Sequence, residues 1–230
     1  MQTDTRFHCV MHTLTLGQKL SMNPSVATEQ TSYQQATPEI QTQEKAWAKA
    51  AQKGDSTAFM NIVEAYQKPV YNLCYRMLGD TTQAEDAAQE TFLRVYTKLK
   101  TYNHDHKFSS WLLSIASHYC IDQLRRRRYQ MVSWDDLPPW RWLPTSDPEP
   151  EEAVLANETH HALHALLNAL PPDYRAAVIL RYWHELSYDE IAETLDTTVS
   201  AVKSRLFRAR QMMVKQSEDL GENEERGIEN

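Results

Sequence analysis

The sequence predicts an all-α protein in which a flexible acidic linker joins two small helical domains. Glycine is scarce, at 5 of 230 residues, although the tight turns of a many-stranded sheet usually require it. In two blocks of the chain, apolar residues recur every three or four positions, which is the period of an amphipathic helix. An acidic, proline-rich stretch separates the blocks, so we expect two helical units rather than one.

The net charge of −7 is concentrated outside these two blocks. Residues 131–158 contain seven acidic residues and one basic residue, and residues 218–230 contain six and one. We assign residues 131–154 to the linker, whose five prolines exclude a continuous helix, and residues 217–230 to a flexible acidic tail. This balance does not suit a protein that binds DNA tightly on its own, because neutralising phosphates requires a strong basic field.

The remaining boundaries follow from composition. Residues 1–43 are rich in Thr, Gln and Ser and have no sustained period, so we expect a disordered extension. The folded domains are then residues 44–130 and 155–216. Cys9, Cys74 and Cys120 are far apart and form no CxxC pair, which favours a reducing cytoplasm over a disulfide framework or a zinc knuckle. The chain has no apolar run of about eighteen residues and no pattern of a secretory signal.

The first block predicts three helices. Apolar residues from Ala58 to Met77 mark the first helix, which Pro69 should bend and which Gly79 can end in a left-handed cap. Asp80 or Thr82 is the expected N-cap of the second helix.

The second of these helices runs to about Leu99 and carries apolar residues that include Phe92 and Tyr96. We assign most of the apolar residues of this block to the core. A polar loop, Thr101–Lys107, leads to a third helix from about Phe108 to Tyr129.

The second block predicts a helix-turn-helix. A helix from Pro172 to about Trp183 precedes a capping box at Ser187–Glu190, which opens a short helix to Leu195. Thr197 and Thr198 then cap a longer helix, Val199–Lys215. Two helices joined by about four residues are typical of this DNA-binding motif.

The outward face of the longer helix carries Lys203, Ser204, Phe207 and Arg208. These residue types suit a major groove, because Lys and Arg bind guanine or phosphate and Phe contacts the thymine methyl group. A basic, solvated helix face is the simpler interpretation of the same pattern.

Both blocks contain strings typical of one family. YNLCYRMLGD at 71–80, AEDAAQETFLRVY at 84–96 and FSSWLLSIA at 108–116 resemble region 2 of bacterial RNA polymerase sigma factors of the extracytoplasmic-function (ECF) group. LPPDYR at 170–175, LSYDEIA at 186–192 and VKSRLFRAR at 202–210 resemble region 4 of the same group. Two motif sets in the expected order are more specific than one helix-turn-helix alone.

The resemblance implies a non-enzymatic factor that binds core RNA polymerase and directs it to promoters, without a cofactor or a metal. It implies contact with the β′ clamp helices and the β flap of the polymerase and with promoter DNA, and an anti-sigma factor as a further partner. The expected residues at the polymerase are Asp86, Gln89, Glu90, Phe92 and Leu93.

The resemblance also implies two DNA-reading surfaces. A loop and the helix after it would read the minus-ten element and hold a flipped-out base, for which aromatic side chains are suitable walls. The minus-ten set is Asn103, Lys107, Phe108, Ser110, Trp111, His118, Arg125 and Arg126. The minus-thirty-five set is Arg181, Ser200, Lys203, Ser204, Phe207 and Arg208, with Arg181 on phosphate. His118 stands where the family usually has Asn.

Two alternatives belong to other classes. A free-standing helix-turn-helix regulator with an N-terminal sensing half would not need the clamp-binding segment 84–96. A metal-dependent hydrolase would have to use His104 and His106 or the group His160, His161 and His164, but no fourth ligand, HExxH motif or nucleophile–base set accompanies them. We expect His160, His161 and His164 to be solvated.

Overall fold

The computed structural model describes residues 38–132 and 163–227, which contain α-helices, one 3₁₀ turn and no strand. The predicted all-α class is confirmed. The predicted linker falls almost entirely outside the described residues, as do residues 1–37 and His160 and His161. The helices are α1 (Pro38–Gln52), α2 (Ser56–Leu78), α3 (Thr81–Lys98), α4 (Phe108–Val132), α5 (Pro172–Tyr182), α6 (Tyr188–Thr194) and α7 (Val199–Gly227), with a further helical stretch at 163–168.

Local sequence signals account for most of the helix ends. Gly79 adopts a left-handed conformation (φ 74°) and its amide donates to the Tyr75 carbonyl, as predicted. The Asp80 side chain accepts from the Gln83 amide at 2.8 Å and begins α3. Ser187 and Glu190 form the complete capping box of α6, and the Thr198 hydroxyl accepts from the Ala201 amide at 3.2 Å. The capping predictions are therefore confirmed at three helix starts and one helix end.

The first helix corrects a predicted boundary. We expected residues 1–43 to be a disordered extension, but α1 begins at Pro38. Ala48 is fully buried, and Trp47 and Ala51 pack against the core. These positions repeat at helical spacing and form one apolar face. The overall composition of the segment does not reveal this face, because Gln, Lys and Glu residues surround it.

The last helix corrects a second expectation. We expected a flexible acidic tail after about residue 216, whereas α7 continues without a break to Gly227. Glu, Lys, Arg and Gln are good helix formers, so an acidic segment attached to an existing helix can extend it without a new nucleation step.

The two blocks share one continuous hydrophobic core rather than forming two separate cores. Helix α2 packs against α3 and α4, and its C-terminal part packs against α5. Helix α4 contacts both α5 and α6. The helix-turn-helix therefore lies against the first block, and the polar loop between α3 and α4 lies beside α6.

Candidate nucleic-acid and polymerase interface

The loop after α3 is held by side chains from within it and from α1. The Tyr102 hydroxyl donates to the His106 carbonyl at 2.6 Å, and the Asp105 amide donates to the Asn103 side chain at 3.1 Å. Gln52 of α1 donates to the carbonyls of Leu99 (2.9 Å) and Tyr102 (3.0 Å). These bonds fix the loop at the surface where the minus-ten residues were predicted.

A cavity of about 210 Å³ opens between this loop, the start of α4 and the end of α6. Tyr102 and Trp111, with ring centroids 4.9 Å apart, form its aromatic side. The hydroxyls of Ser110 and Thr194 are buried and have no hydrogen-bond partner among the described residues. The complete lining is Thr101, Tyr102, Asn103, His106, Ser110, Trp111, Ser114, Glu193 and Thr194. Aromatic faces beside unpaired hydroxyls are suitable for a planar, polar guest such as a base.

The predicted minus-ten residues occupy different positions around this cavity. Asn103, Ser110 and Trp111 line it. Phe108 does not: it is 1% exposed and packs behind Trp111, at a centroid distance of 5.6 Å. Lys107, His118, Arg125 and Arg126 are exposed along the loop and α4. Tyr102, which the sequence did not identify, supplies the wall that was expected from Phe108.

The exposed face of α3 carries most of the predicted polymerase set. Asp86, Gln89 and Leu93 are exposed, with Leu93 at 59%. Glu90 is half-buried and accepts from Arg94 at 2.7 Å. Phe92 packs against the core instead of facing solvent.

Two further apolar side chains extend this face. Tyr96 is 61% exposed, so it does not belong to the core, to which most apolar residues of this block were assigned. Its ring packs edge-on against Phe59 with centroids 5.0 Å apart. Met60, on α2, is 64% exposed. The apolar period of α3 did not distinguish Tyr96 from a core residue. The buried side of this helix carries small residues, Ala84, Ala87 and Ala88 among them, so it lacks large side chains that would mark it as the core face.

The outward face of α7 agrees with the helix-turn-helix prediction. The residues expected to pack the motif, Ile191, Leu195, Val202 and Leu206 among them, are buried. The set expected to read DNA is exposed: Ser200, Lys203, Ser204, Phe207 and Arg208. Phe207 is 56% exposed, which is high for an aromatic side chain without a partner to cover it.

Arg181 lies apart from that face. Its guanidinium donates to the Leu186 carbonyl at 2.9 Å and stacks over the Tyr188 ring at 5.1 Å from the centroid. The side chain therefore holds the turn before α6 and is half-buried.

Two carboxylates of α6 bind side chains of the loop. Glu190 accepts from Lys107 at 2.5 Å, and Glu193 pairs with His106. Burial works to raise the pKa of Glu190, but hydrogen bonds from Lys107 and Ser187 outweigh it and hold that pKa below its ordinary value. His104 bonds Gln52 at 2.8 Å, so the two loop histidines bind different partners.

Two segments of the chain match known families. Residues 62–129 match Sigma-70 region 2, and residues 160–213 match Sigma-70, region 4. The chain is 36% identical over 178 residues to the ECF RNA polymerase sigma factor SigW of Bacillus subtilis, covering 75% of this chain and 95% of SigW. This chain belongs to the ECF sigma factors of RNA polymerase. The predicted function, directing transcription initiation, is confirmed, and the free-standing regulator is not favoured.

A second relative and a solved structure resemble the chain in sequence and in fold, respectively. The chain is 31% identical over 193 residues to the RNA polymerase sigma-H factor of Pseudomonas aeruginosa, covering 78% of this chain and 96% of that one. Its fold resembles the sigma factor RpoE of Bartonella quintana, solved in complex with the anti-sigma factor NepR. That match has a TM-score of 0.54 and 21% identity over 68% of this chain and 94% of that one. In residues 38–132 and 163–227, no helix has the length and apolar character needed to cross a bilayer.

Proposed function

We propose that this ECF sigma factor binds core RNA polymerase through the exposed face of α3, formed by Asp86, Gln89 and Leu93, with Tyr96 and Met60 at its edge. The observation that supports this is the exposure of large apolar side chains beside polar ones on a helix that is otherwise packed against the core. An apolar centre with a polar rim is a common protein-binding patch. RNA synthesis itself belongs to the polymerase, and this chain supplies binding and direction.

We propose further that the cavity beside the loop receives a base of the opened minus-ten element. Trp111, which is half-buried, supplies the stacking face, with the buried Tyr102 ring packed beside it, and Ser110 supplies an unpaired hydroxyl for the edge of the base. Lys107 and Arg125 lie on the same side of α4 as contacts for phosphate. The face of α7 that carries Lys203 and Phe207 reads the minus-thirty-five element in the major groove.

The test is run-off transcription with core polymerase over a promoter library, which reads activity and sequence preference together. The double variant Q89A/L93A should lose core binding and transcription while keeping its helix content, because both side chains are exposed. Q67A/M212A is the matched control, since it removes an exposed Gln and a partly exposed apolar side chain elsewhere. Equal core binding by the two variants would refute the α3 assignment. The sigma factor of the Bartonella complex binds an anti-sigma factor, and we extend that class of partner to this chain as part of the proposal.

A further inference from the structure

His118 is the one exposed side chain of α4 between Trp111 and Ile121. It follows Ser114, which lines the cavity, by one helical turn, and it precedes Arg125 by about two turns on the same side of the helix. Under the proposed function, the cavity receives an opened base and Arg125 contacts phosphate. His118 therefore lies where α4 would meet the base pair beside the opened base.

The polar side chains nearest to His118 on α4 already have partners within the helix. The Ser114 hydroxyl donates to the Trp111 carbonyl at 2.7 Å. The half-buried Tyr119 accepts at its hydroxyl from Gln123 at 2.8 Å. On this part of the surface, His118 is the uncharged side chain that projects a hydrogen-bonding group into solvent.

One ring nitrogen of His118 is fixed by the helix itself. Its Nδ1 lies 2.8 Å from the carbonyl oxygen of Ser114. A carbonyl oxygen can only accept a hydrogen bond, so Nδ1 carries the proton and donates it. Neutral imidazole has a single N–H, which leaves Nε2 with a lone pair and no proton. The neutral ring of His118 therefore offers DNA an acceptor and no donor.

An acceptor at this place can distinguish the bases by one chemical group. In the major groove, adenine presents its N6 amino group and cytosine its N4 amino group, and both are donors. Guanine presents O6 and N7, and thymine presents O4, and all of these are acceptors. Nε2 of His118 can accept from either amino group, whereas a keto oxygen would face it without a proton between the two lone pairs.

We propose that His118 is a specificity-determining residue that selects a base with an exocyclic amino group, adenine or cytosine, over guanine or thymine at the base pair beside the opened base. This inference rests on the proposed function, because it takes α4 to be a DNA-reading surface. The Ser114 carbonyl acts through His118 by holding its ring in the acceptor form. An Asn side chain carries both a carbonyl oxygen and an amino group, so it could turn either one to DNA and would discriminate less.

The first experiment measures the base preference of the polymerase holoenzyme at about pH 8, where imidazole is neutral. The promoters differ by one base pair at a time across the minus-ten element. The holoenzyme with the parent chain should favour an amino base at one position by about 5- to 150-fold, which is the usual effect of a mismatched base pair. H118A should lose this preference, and H118N should bind the amino base but discriminate less.

The matched control is D122N, because Asp122 is an exposed acceptor one turn further along α4. It should keep the preference of the parent for an amino base. A parent that prefers a keto base wherever H118A changes the preference, an H118A chain with the preferences of the parent, or loss of the preference in D122N alone would overturn the proposal.

The second experiment isolates the hydrogen bond. Replacing the preferred deoxyadenosine by purine deoxyriboside, or the preferred deoxycytidine by the corresponding pyrimidinone nucleoside, removes only the amino group. Fluorescence anisotropy should show that the parent holoenzyme loses about 2- to 12-fold more affinity than the H118A holoenzyme, the usual range for one hydrogen bond. The H118A holoenzyme measures the effect of the analogue on the DNA duplex itself. Equal losses for the two holoenzymes would overturn the proposal.

The third experiment tests the ring of His118 without DNA. Proton–nitrogen NMR of the isotope-labelled full-length chain at about pH 8 should show a protonated Nδ1 and an unprotonated Nε2, with the signals assigned by their absence from H118N. The reverse pattern would overturn the proposal even when transcription is normal. A parent chain that supports no promoter-dependent run-off transcription would instead refute the proposed function, and it would leave the NMR result unchanged.

Discussion

Gln52 is the side chain through which α1 holds the loop between α3 and α4. Its side-chain amide donates to two backbone carbonyls of the segment 99–102, and its Oε1 accepts from Nε2 of the His104 ring. No signal in the sequence identifies this residue, because its partners are about fifty positions away. We expect it to affect the proposed reading of the minus-ten element by positioning the loop.

Replacing Gln52 by Leu should therefore loosen the loop without removing a DNA contact. We expect the free energy of unfolding to fall by about 1–2 kcal/mol, because partly buried carbonyls lose their donors. Urea unfolding measures this loss, and library transcription should show weaker discrimination at the minus-ten element. Q67L, at an exposed position of α2, is the control. A Q52L chain with the stability and base preference of the parent would contradict the positioning role.

His184 gives the molecule a pH-dependent stability. Burial, assisted by the charge of Arg76, lowers the pKa of this imidazole to about 4 from 6.5, and its Nε2 is buried without a hydrogen-bond partner among the described residues. The unfolded chain therefore binds a proton before the folded chain does as the pH falls. Stability from this group is present above pH 6.5 and is lost as the pH decreases toward 4.

The expected slope from His184 alone is at most about 1.4 kcal/mol per pH unit within that window. The H184Q variant should lose this contribution, so its stability should depend less steeply on pH than that of the parent. Urea unfolding at a series of pH values tests the difference between the two chains, in which other titrating groups cancel. Parallel curves would show that the imidazole titrates normally.

At the scale of elements, α7 combines a buried face, which packs the helix-turn-helix, with an exposed face that carries the residues expected to read DNA. Lys203 and Phe207 lie one helical turn apart on that exposed face. Arg181 lies outside it and holds the turn before α6. Mutations on the exposed face and the mutation of Arg181 should therefore affect DNA binding differently.

Substituting Lys203 or Phe207 by Ala should cost about 1–3 kcal/mol of binding to the preferred minus-thirty-five sequence and relax preference at one position. Substituting Arg181 by Ala should weaken binding about equally on all sequences. Binding of the polymerase holoenzyme to a set of single-base promoter variants makes the comparison. A uniform loss for Lys203 and Phe207 would leave them as phosphate contacts only.

At the scale of the whole molecule, Arg175 is the central connection between the two blocks. Its guanidinium also donates to the side chain and the carbonyl of Asn168, both at 2.9 Å. Burial, with a contribution from Arg127, lowers the pKa of Arg175 to about 10, so the side chain stays charged at neutral pH. A buried charge is tolerated only when its hydrogen bonds are made, as most of these are.

The R175M variant keeps the length of the side chain but leaves the Met77 and Asn168 carbonyls without this donor. We expect a loss of about 2–4 kcal/mol in the free energy of unfolding. The control is R210M on the exposed side of α7, which should stay within about 0.5 kcal/mol of the parent. Both are measured by urea denaturation with tryptophan fluorescence. Equal, small losses in the two variants would show that the blocks do not depend on this connection.

The sequence by itself determined the helices from α2 onward, most of their caps and the family. These signals are local: Asp80 caps an amide three residues away, and the Ser187–Glu190 box spans one turn. The apolar stripe of the helix-turn-helix could likewise be read from its period, because helix geometry fixes which residues share a face. The predicted minus-ten and minus-thirty-five residues thus fall on exposed or cavity-lining positions, apart from the buried Phe108 and the half-buried Arg181.

Only the tertiary structure decided how the two blocks meet. The ion pair of Lys107 with Glu190 joins positions 83 residues apart, and the bond from Arg175 to Met77 joins positions 98 apart. No periodicity or cap reports on such distances, because each side chain looks like an ordinary surface charge or motif residue in its own segment. The packing of α1 on the core and the exposure of Tyr96 could not be predicted for the same reason. Both depend on which neighbouring helix covers a position. The arrangement of all the helices sets that coverage, whereas periodicity reports only on residues three or four positions away.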